Sequence, residues 1–323
     1  MTSFGFTLSS EEHGPKDLVA NARRAEDLGF EFVSISDHYH PWITEQGHSP
    51  FVWSVLGAIA ASTTRIQVAV GVTCPIMRTH PAVVAQAAAT TSLLLDDRLV
   101  WGVGTGEALN EHIVGDRWPA PEIRREMLEE ALVVIRALFS GDTVDHRGTY
   151  YEVENARLFD PPSSPIPIVV SGFGPESAKL AGRIGDGYWG TSPDAELVQA
   201  FEQAGGSGPR YAQVTFCWAE DEEAARKTVH KTWPTAGLSG QLSQDLPTWT
   251  HFEQATAPLT EDQVTSSLAC GPDIRDELVE NVRKYVDAGY DHLYFHQIGS
   301  DQEGFFGFWE RDLQPALAQF KSS

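Results

Sequence analysis

The chain has 323 residues, of which 41% are hydrophobic and 21% charged, a composition typical of a globular protein with a large apolar core. Its 45 acidic residues outnumber 23 basic ones and give a formal net charge of −22, so the overall field repels nucleic-acid phosphates and anionic membrane surfaces. Composition therefore predicts no nucleic-acid or membrane partner and favours a small-molecule substrate.

The three cysteines, Cys74, Cys217 and Cys270, are widely spaced and form no Cys-x-x-Cys pair, so they predict neither a disulfide framework nor a zinc site. The first residues lack a basic region followed by an apolar stretch. No run reaches the roughly 18 apolar residues of a membrane helix. We therefore expect a cytoplasmic protein with buried thiols.

Short runs rich in β-branched and aromatic residues alternate with amphipathic stretches, a pattern typical of parallel strands joined by helices. Strands are predicted at residues 3–8, 32–36, 66–72, 99–104, 168–171, 187–190, 211–218 and 292–297. The clearest helices are predicted at residues 15–28, 81–94, 121–139, 175–184 and 273–288. Eight such units predict the α/β class and a (β/α)8 TIM barrel with insertions, folded as a single domain over residues 1–323.

Two stretches interrupt the alternation. Residues 143–167 predict a hairpin followed by a proline-rich loop, and residues 231–260 predict an insertion that acts as a lid or substrate loop. Four large aromatic residues lie in or beside this insertion: Trp218, Trp233, Trp249 and Phe252. They would form walls for an apolar or sugar-ring face, or else pack the insertion onto the barrel.

The active site of a (β/α)8 barrel lies at the C-terminal ends of its strands, so polar residues that follow strands are the first candidates. Such residues occur after the first, second and fourth predicted strands: Glu11, then Asp37, His38, His40 and Trp42 in "SDHYHPW", then Thr105, Glu107, Asn110 and His112 in "GVGTGEALNEH". The first strand would thus supply a carboxylate, the second an imidazole and the fourth another carboxylate, which is a workable set for acid–base catalysis.

The same residues also permit other roles. His38 and His40 have the spacing of a metal pair, but no second cluster of ligands accompanies them, and we predict no metal ligand. Glu107 could instead cap the helix after the fourth strand. The glycines of "GVGTG" permit close approach of a ligand without completing a dinucleotide fingerprint.

A glycine-rich turn follows the fifth predicted strand, in "SGFGPESAKLAGRIGDG". Gly172, Phe173 and Gly174 could present backbone N–H groups to a phosphate where the next helix begins. Glycine also serves ordinary turns, but a helix start after a late strand is a frequent phosphate site in TIM barrels.

Four motifs occur along the chain in the order "SDHYHPW", "RTHPAVVAQAAAT", "TGEALNE" and "SAKLAGRIGDG". Taken together, they resemble the luciferase-like flavin and deazaflavin oxidoreductases. The nearest resemblance is to the F420-dependent glucose-6-phosphate dehydrogenase branch, and it thins between residues 194 and 260. It implies a hydride-transferring enzyme that uses coenzyme F420, with FMN as the alternative cofactor, and that forms a homodimer.

The resemblance also implies roles for individual residues. His38 would act as base on a substrate hydroxyl, oriented by Glu11, while Trp42 shapes the site and Glu107 lies beside the deazaflavin ring. A non-prolyl cis peptide bond is implied near Gly71 and Val72, against the ring face. The remaining implied cofactor contacts are Asp37, Cys74, Thr105, groups near Asn110, and the loop of Gly172, Phe173, Gly174 and Pro175, which would hold the phosphate.

The sequence departs from this branch where its members hold the substrate phosphate with two lysines and an arginine. "PDAE" follows Thr191 and Ser192 where a lysine is expected, residues 232–274 contain no Lys or Arg, and Ser266 stands at the arginine position. A dianionic phosphate needs charge-assisted donors. We therefore expect glucose 6-phosphate to be a poor substrate and the substrate to be an uncharged alcohol or a sugar-like molecule.

Four other functions remain open at the level of sequence. The first is an FMN-dependent monooxygenase, and the second is an F420H2-dependent reductase of an activated double bond or nitro group, because hydride transfer is reversible. The third is a catalytically silent binding protein. The fourth is a metal-dependent hydrolase built on His38, His40 and a carboxylate.

Overall fold

The computed structural model describes residues 1–238 and 240–321. Within them the chain forms eleven strands: β1 (Ser3–Leu8), β2 (Phe32–Ile35), β3 (Gln67–Thr73), β4 (Leu99–Val103), β5 (Val144–Arg147), β6 (Glu152–Ala156), β7 (Ile168–Ser171), β8 (Gly187–Gly190), β9 (Arg210–Cys217), β10 (Ala269–Cys270) and β11 (His292–Gln297).

The same residues form fourteen α-helices: α1 (Pro15–Asp27), α2 (Val52–Ala60), α3 (Pro81–Leu94), α4 (Ala108–Glu111), α5 (Pro121–Leu138), α6 (Pro175–Ile184), α7 (Ala195–Gln203), α8 (Glu222–Thr232), α9 (Leu242–Asp245), α10 (Trp249–Thr256), α11 (Glu261–Thr265), α12 (Arg275–Asp287), α13 (Gln302–Phe308) and α14 (Gln314–Lys321). Across the described ranges, none of the helices combines the length and the apolar character needed to span a membrane.

Eight strands close a parallel barrel in the order β1, β2, β3, β4, β7, β8, β9 and β11, and β11 pairs back with β1. The predicted TIM barrel is therefore confirmed, and the strand ends differ from the predicted ones by a single residue at most. Parallel neighbours need long crossovers, and amphipathic helices such as α1 and α5 supply them while burying their apolar faces against the strands.

Large side chains fill the interior of the barrel. Trp189 stacks on Tyr211 with ring centroids 4.7 Å apart, and Phe32 and Tyr294 complete this inner cluster together with smaller residues. The barrel is thus a packed core with a solid floor. Any ligand space must lie above that floor, at the C-terminal ends of the strands.

Both interruptions of the alternation have structure of their own. The first contains the antiparallel hairpin β5–β6, as predicted. The second, residues 231–260, holds a 3-10 turn at Pro234–Gly237 followed by α9 and α10. Phe252 of α10 is fully buried against Trp42, so the insertion packs on the loop after β2.

Candidate active site

A cavity of about 640 Å³ opens at the C-terminal ends of the barrel strands. Thirteen of the predicted site residues line it: Glu11, Asp37, His38, Trp42, Gly71, Val72, Cys74, Thr105, Glu107, Asn110, Gly172, Phe173 and Gly174. Pro175 is the first residue of α6 and does not reach the lining. The loops after β1, β2 and β4 therefore converge, because parallel strands place their C-terminal ends on one side of the barrel.

The imidazole of His38 lies between two carboxylates. Its Nδ1 is 3.4 Å from Oε1 of Glu11, and its Nε2 is 3.5 Å from Oε2 of Glu107. The carbonyl oxygen of His40 lies 3.3 Å from the same Nδ1. The His40 carbonyl can only accept, whereas the Glu107 carboxyl beside Nε2 can donate when it is protonated, so the neutral ring is assigned its proton on Nδ1 and keeps the Nε2 lone pair as a base.

The Glu11 carboxylate is buried, with its side chain only 3% exposed. The hydroxyl groups of Ser9 and Ser36 donate to Oε2 at 3.1 and 2.8 Å. These bonds leave Oε1 to contact His38. Such a fixed carboxylate has the geometry required to orient an imidazole, which is the role predicted for Glu11.

Glu107 precedes the short helix α4 as its N-cap residue, but its side chain makes no capping hydrogen bond. Its Oε2 instead accepts from Nδ2 of Asn110 at 3.2 Å and faces His38. The capping alternative is therefore wrong. Burial raises the pKa of Glu107 to about 7, a shift that the nearby Glu11 charge reinforces and His38 opposes. This carboxyl can hold or release a proton near neutral pH.

Asn110 joins the loops that carry His38 and Glu107. Its Oδ1 accepts from the backbone N–H groups of Tyr39 and His40 at 2.9 and 3.1 Å, while its Nδ2 donates to Glu107. The side chain is thus used to fix the loop after β2. These bonds leave one amide hydrogen of Asn110 for a ligand. Participation of Asn110 in phosphate binding stays a prediction.

A buried network of ion pairs connects the loop after β2 with the end of α4. Arg78 donates through Nη2 to Oδ1 of Asp37 at 3.0 Å, and its backbone N–H donates to Oε2 of Glu111 at 2.9 Å. The Asp37 carboxylate is therefore engaged with Arg78. Cys74 lies beside this network, and burial together with the Glu111 charge raises its pKa well above the usual range, so it remains a thiol.

The cavity wall nearest the insertion is partly aromatic. The Trp42 ring lies 5.0 Å from His38 and 5.1 Å from Phe252, and Trp233 also lines the cavity. Trp249 packs against the His40 ring instead. Trp218 stacks at 6.0 Å on Phe308, away from the lining. Of the four aromatic residues in or beside the insertion, Trp233 lines the cavity, whereas Phe252, Trp218 and Trp249 pack the surrounding structure; that Trp233 faces a substrate stays a prediction.

The other side of the cavity offers backbone and cationic groups. The Gly71–Val72 peptide bond is cis, at the position that the resemblance implies. Gly174 is the N-cap residue of α6 and no side chain caps the helix, so the first N–H groups of α6 are available. Nothing lies within 4 Å of the place where a Cβ of Gly174 would stand. Arg124 and Arg125 of α5 line the same cavity.

His40 does not join His38 at the cavity. Its Nδ1 contacts the carbonyl oxygen of Leu109 at 2.9 Å, and its ring lies outside the lining. In the part of the chain that the structure describes, no group of three or more His, Cys, Asp or Glu residues could hold a metal ion.

Several lining residues were missed by the sequence reasoning: Thr7, Ser34, Arg124, Arg125, Trp189, Gln213, Tyr294 and His296. His296 is the penultimate residue of β11, so a rule that covered the last residues of each strand, and not only those that follow it, would have found it. Gln213 and Tyr294 lie within their strands, where alternation alone does not distinguish a cavity wall from a packed core.

Comparison with known proteins agrees with this geometry. Residues 1–292 match the family described as luciferase-like monooxygenase. An F420-dependent glucose-6-phosphate dehydrogenase of Amycolatopsis mediterranei (strain U-32) is 37% identical over 98% of this chain and 99% of its own length. Another protein of that name, from Mycolicibacterium gilvum (strain PYR-GCK), is 37% identical over 97% of both chains.

A solved structure of an F420-dependent secondary alcohol dehydrogenase in complex with an F420–acetone adduct is also similar. It superposes with a TM-score of 0.89 at 28% identity and covers 98% of this chain and 99% of its own. The resemblance that the motifs predicted is thereby confirmed, and the chain belongs to the luciferase-like monooxygenase family.

Proposed function

We propose that the protein is an oxidoreductase that uses coenzyme F420 and acts on the CH–OH group of an uncharged alcohol or sugar-like substrate. The observation that carries this proposal is the His38 imidazole, held between Glu11 and Glu107 in a cavity at the C-terminal end of the barrel. The F420-dependent relatives, similar over almost their whole length, support the choice of cofactor.

The residues of the cavity suit such a cofactor. The glycine-rich turn before α6, with its uncapped N–H groups, would hold a phosphate, and Arg125 adds positive charge nearby. Val72 and Thr105 would lie against a flat ring system. Coenzyme F420, when bound, supplies a deazaflavin that accepts or returns a hydride.

His38 carries the proton chemistry of the substrate. Loss of hydride from a carbinol carbon builds carbonyl character, so the hydroxyl proton must leave at the same time. The Nε2 lone pair of His38 accepts this proton, and Glu11 beside Nδ1 stabilises the imidazolium that results. In the reverse direction the same imidazolium returns the proton to the carbonyl oxygen.

Glu107 serves either direction because its pKa of about 7 leaves both protonation states populated near neutral pH. In its ionised form it stabilises a protonated His38 across 3.5 Å. In its protonated form it donates a hydrogen bond into the cavity. This balance supports the reductase alternative as well as alcohol oxidation, and the substrate decides the direction.

The charges of the lining support an uncharged substrate. Among the described residues that line the cavity, the only Lys or Arg side chains are Arg124 and Arg125, both on α5. Ser266, at the position expected for a substrate-binding arginine, is exposed and donates to the carbonyl oxygen of Gln263. Thr191 lines the cavity with a neutral side chain. A phosphorylated sugar would therefore lack charge-assisted donors near Glu11 and Trp42.

Titration of the purified protein with oxidised F420 and, separately, with FMN tests the cofactor. We expect micromolar or tighter binding of F420 and little binding of FMN, followed through cofactor or tryptophan fluorescence. The reverse preference would refute the proposal and favour the monooxygenase alternative.

Turnover of alcohols, sugars and ketones, followed by the absorbance of F420, tests the reaction. We expect His38→Ala to bind F420 normally and to lose turnover by about a hundredfold or more. We expect glucose to be oxidised more efficiently than glucose 6-phosphate, and the opposite order would contradict an uncharged substrate. The homodimer and the cytoplasmic location remain predictions.

A further inference from the structure

A second polar wall lines the cavity on β9 and β11, apart from the His38 loop. Gln213 and Tyr294 are register partners on these parallel strands, and His296 follows two residues after Tyr294. Residues two apart point to the same side of a strand, so all three project into the barrel. Each of them lines the cavity, and none has a role in the proton chemistry described above.

The orientation of His296 is fixed by Glu12. The His296 side chain is only 2% exposed, and its Nε2 lies 3.2 Å from Oε1 of Glu12. Glu12 is itself held, because Trp233 donates to Oε1 and the backbone N–H of Gly299 donates to Oε2 at 2.7 Å. A carboxylate only accepts hydrogen bonds. Nε2 of His296 therefore carries hydrogen, and in the neutral ring Nδ1 is an acceptor.

This tautomer orients the Gln213 amide. Its Nε2 lies 3.2 Å from Nδ1 of His296 and donates to Oγ1 of Thr215 at 2.9 Å. Both amide hydrogens are then used. The carbonyl Oε1 of Gln213 has no hydrogen-bond partner within residues 1–238 and 240–321, so an acceptor of fixed position remains for a ligand.

The residue paired with Gln213 across the two strands supplies a donor. The hydroxyl oxygen of Tyr294 accepts from Nε1 of Trp189 at 2.7 Å, which leaves its own hydrogen to donate. The Tyr294 side chain is 4% exposed, and Oγ1 of Thr7, which also lines the cavity, is buried with no partner in the described chain. The wall thus combines an acceptor and a donor without a formal charge, and a hydroxyl group, which donates and accepts, complements both.

We infer that Gln213 and Tyr294 bind a second hydroxyl group of the substrate, so the preferred substrates are diols or polyols rather than simple secondary alcohols. This inference rests on the proposed function for its reaction. A mono-alcohol leaves the buried polar groups of the wall unpaired, which is the strongest basis that binding sites have for rejecting an analogue without a hydroxyl. A polyol satisfies them while its reacting carbinol group faces His38.

Matched alcohols test the inference in the F420-loaded enzyme. We would compare kcat/KM for cyclohexanol with that for 1,3-cyclohexanediol, and for 2-butanol with that for 2,3-butanediol. We expect the wild type to prefer each diol by at least about tenfold. Gln213→Met and Tyr294→Phe should each bring this ratio towards one, because each substitution weakens the diol reaction more than the mono-alcohol reaction.

Gln244→Met is the matched control, because Gln244 lines the cavity from the insertion and the substitution makes the same chemical change. We expect this variant to keep the diol preference. A diol preference retained in both Gln213→Met and Tyr294→Phe, or a wild type that does not discriminate, would overturn the inference.

A binding measurement separates failure of the inference from failure of the proposed function. An enzyme that neither binds F420 nor oxidises any alcohol would refute the proposed function. Calorimetric titration of the protein with the same diol and mono-alcohol then decides the role of the wall. Tighter binding of the diol, lost in Gln213→Met, supports it, and equal affinity refutes it.

Discussion

Protonation of Glu107 should make the free energy of unfolding depend on pH, even in protein to which no cofactor is bound. Burial raises its pKa from 4.5 to about 7, and this difference corresponds to about 3 kcal/mol. Between these two pH values the folded protein binds the proton and the unfolded chain does not. The free energy of unfolding therefore falls as pH rises through this window, and the loss is complete once pH exceeds the folded-state pKa.

Glu107→Gln removes this titration. Relative to wild type, we expect the variant to gain about 3 kcal/mol of unfolding free energy between pH 4.5 and pH 8, in addition to any offset that does not vary with pH. Urea denaturation at pH 4.5, 6, 7 and 8 measures the difference. Glu152→Gln, at an exposed position of β6, removes the same charge far from the cavity and should show no such trend. A Glu107→Gln difference that is constant across this range would refute the reasoning.

Three further substitutions test the supports of the site. Glu11→Gln should lower kcat by about a hundredfold, because a neutral amide no longer stabilises protonated His38, while F420 affinity by fluorescence stays unchanged; an unaltered kcat would contradict the orienting role. Asn110→Ala should lower the free energy of unfolding, measured by urea denaturation, by about 2 kcal/mol, because two backbone N–H groups of the loop after β2 lose their acceptor. An unchanged free energy of unfolding would mean that water replaces the amide oxygen as the acceptor. Gly106→Ala should lower the melting temperature more than Gly115→Ala does. Both positions have positive φ, 73° and 86°, but only at 106 would a Cβ meet a neighbour, 2.4 Å from the sulfur of Cys74, so equal losses would show that this contact relaxes.

The barrel and half of its site could be predicted from sequence because both depend on local patterns. Each parallel strand is a short β-branched run, and each is followed by an amphipathic stretch that must cover it. Residues that follow such strands meet at one end of the barrel whatever the details of packing. His38, Glu11 and Glu107 obey this rule, and they lie together in the structure.

The rest depends on contacts between distant parts of the chain. In the sequence, Gln213 is an ordinary polar residue within β9. It pairs with Tyr294 only through the register between β9 and β11, and the sequence of neither strand alone determines that register. Nothing in the sequence distinguishes Glu12 from its neighbour Glu11 as a site residue, although Glu12 contacts His296 from the opposite end of the chain. The helices of the insertion were missed because α9 and α10 are too short for a clear 3.6-residue period.

The hydrogen bonds of Asn110 separate the part of the site that holds the acid–base residues from the wall on β9 and β11. The spacing of the acid–base partners is set by one amide that binds two backbone N–H groups and Glu107, all carried by the loops after β2 and β4. The wall on β9 and β11 shares none of these bonds. We therefore expect substitutions at Gln213 to alter substrate preference while the hydrogen bonds around His38 and Glu107 stay in place. The C-terminal end of the barrel thus divides into a half whose hydrogen bonds fix His38 and Glu107, and a second half whose side chains a designer could replace without touching those bonds.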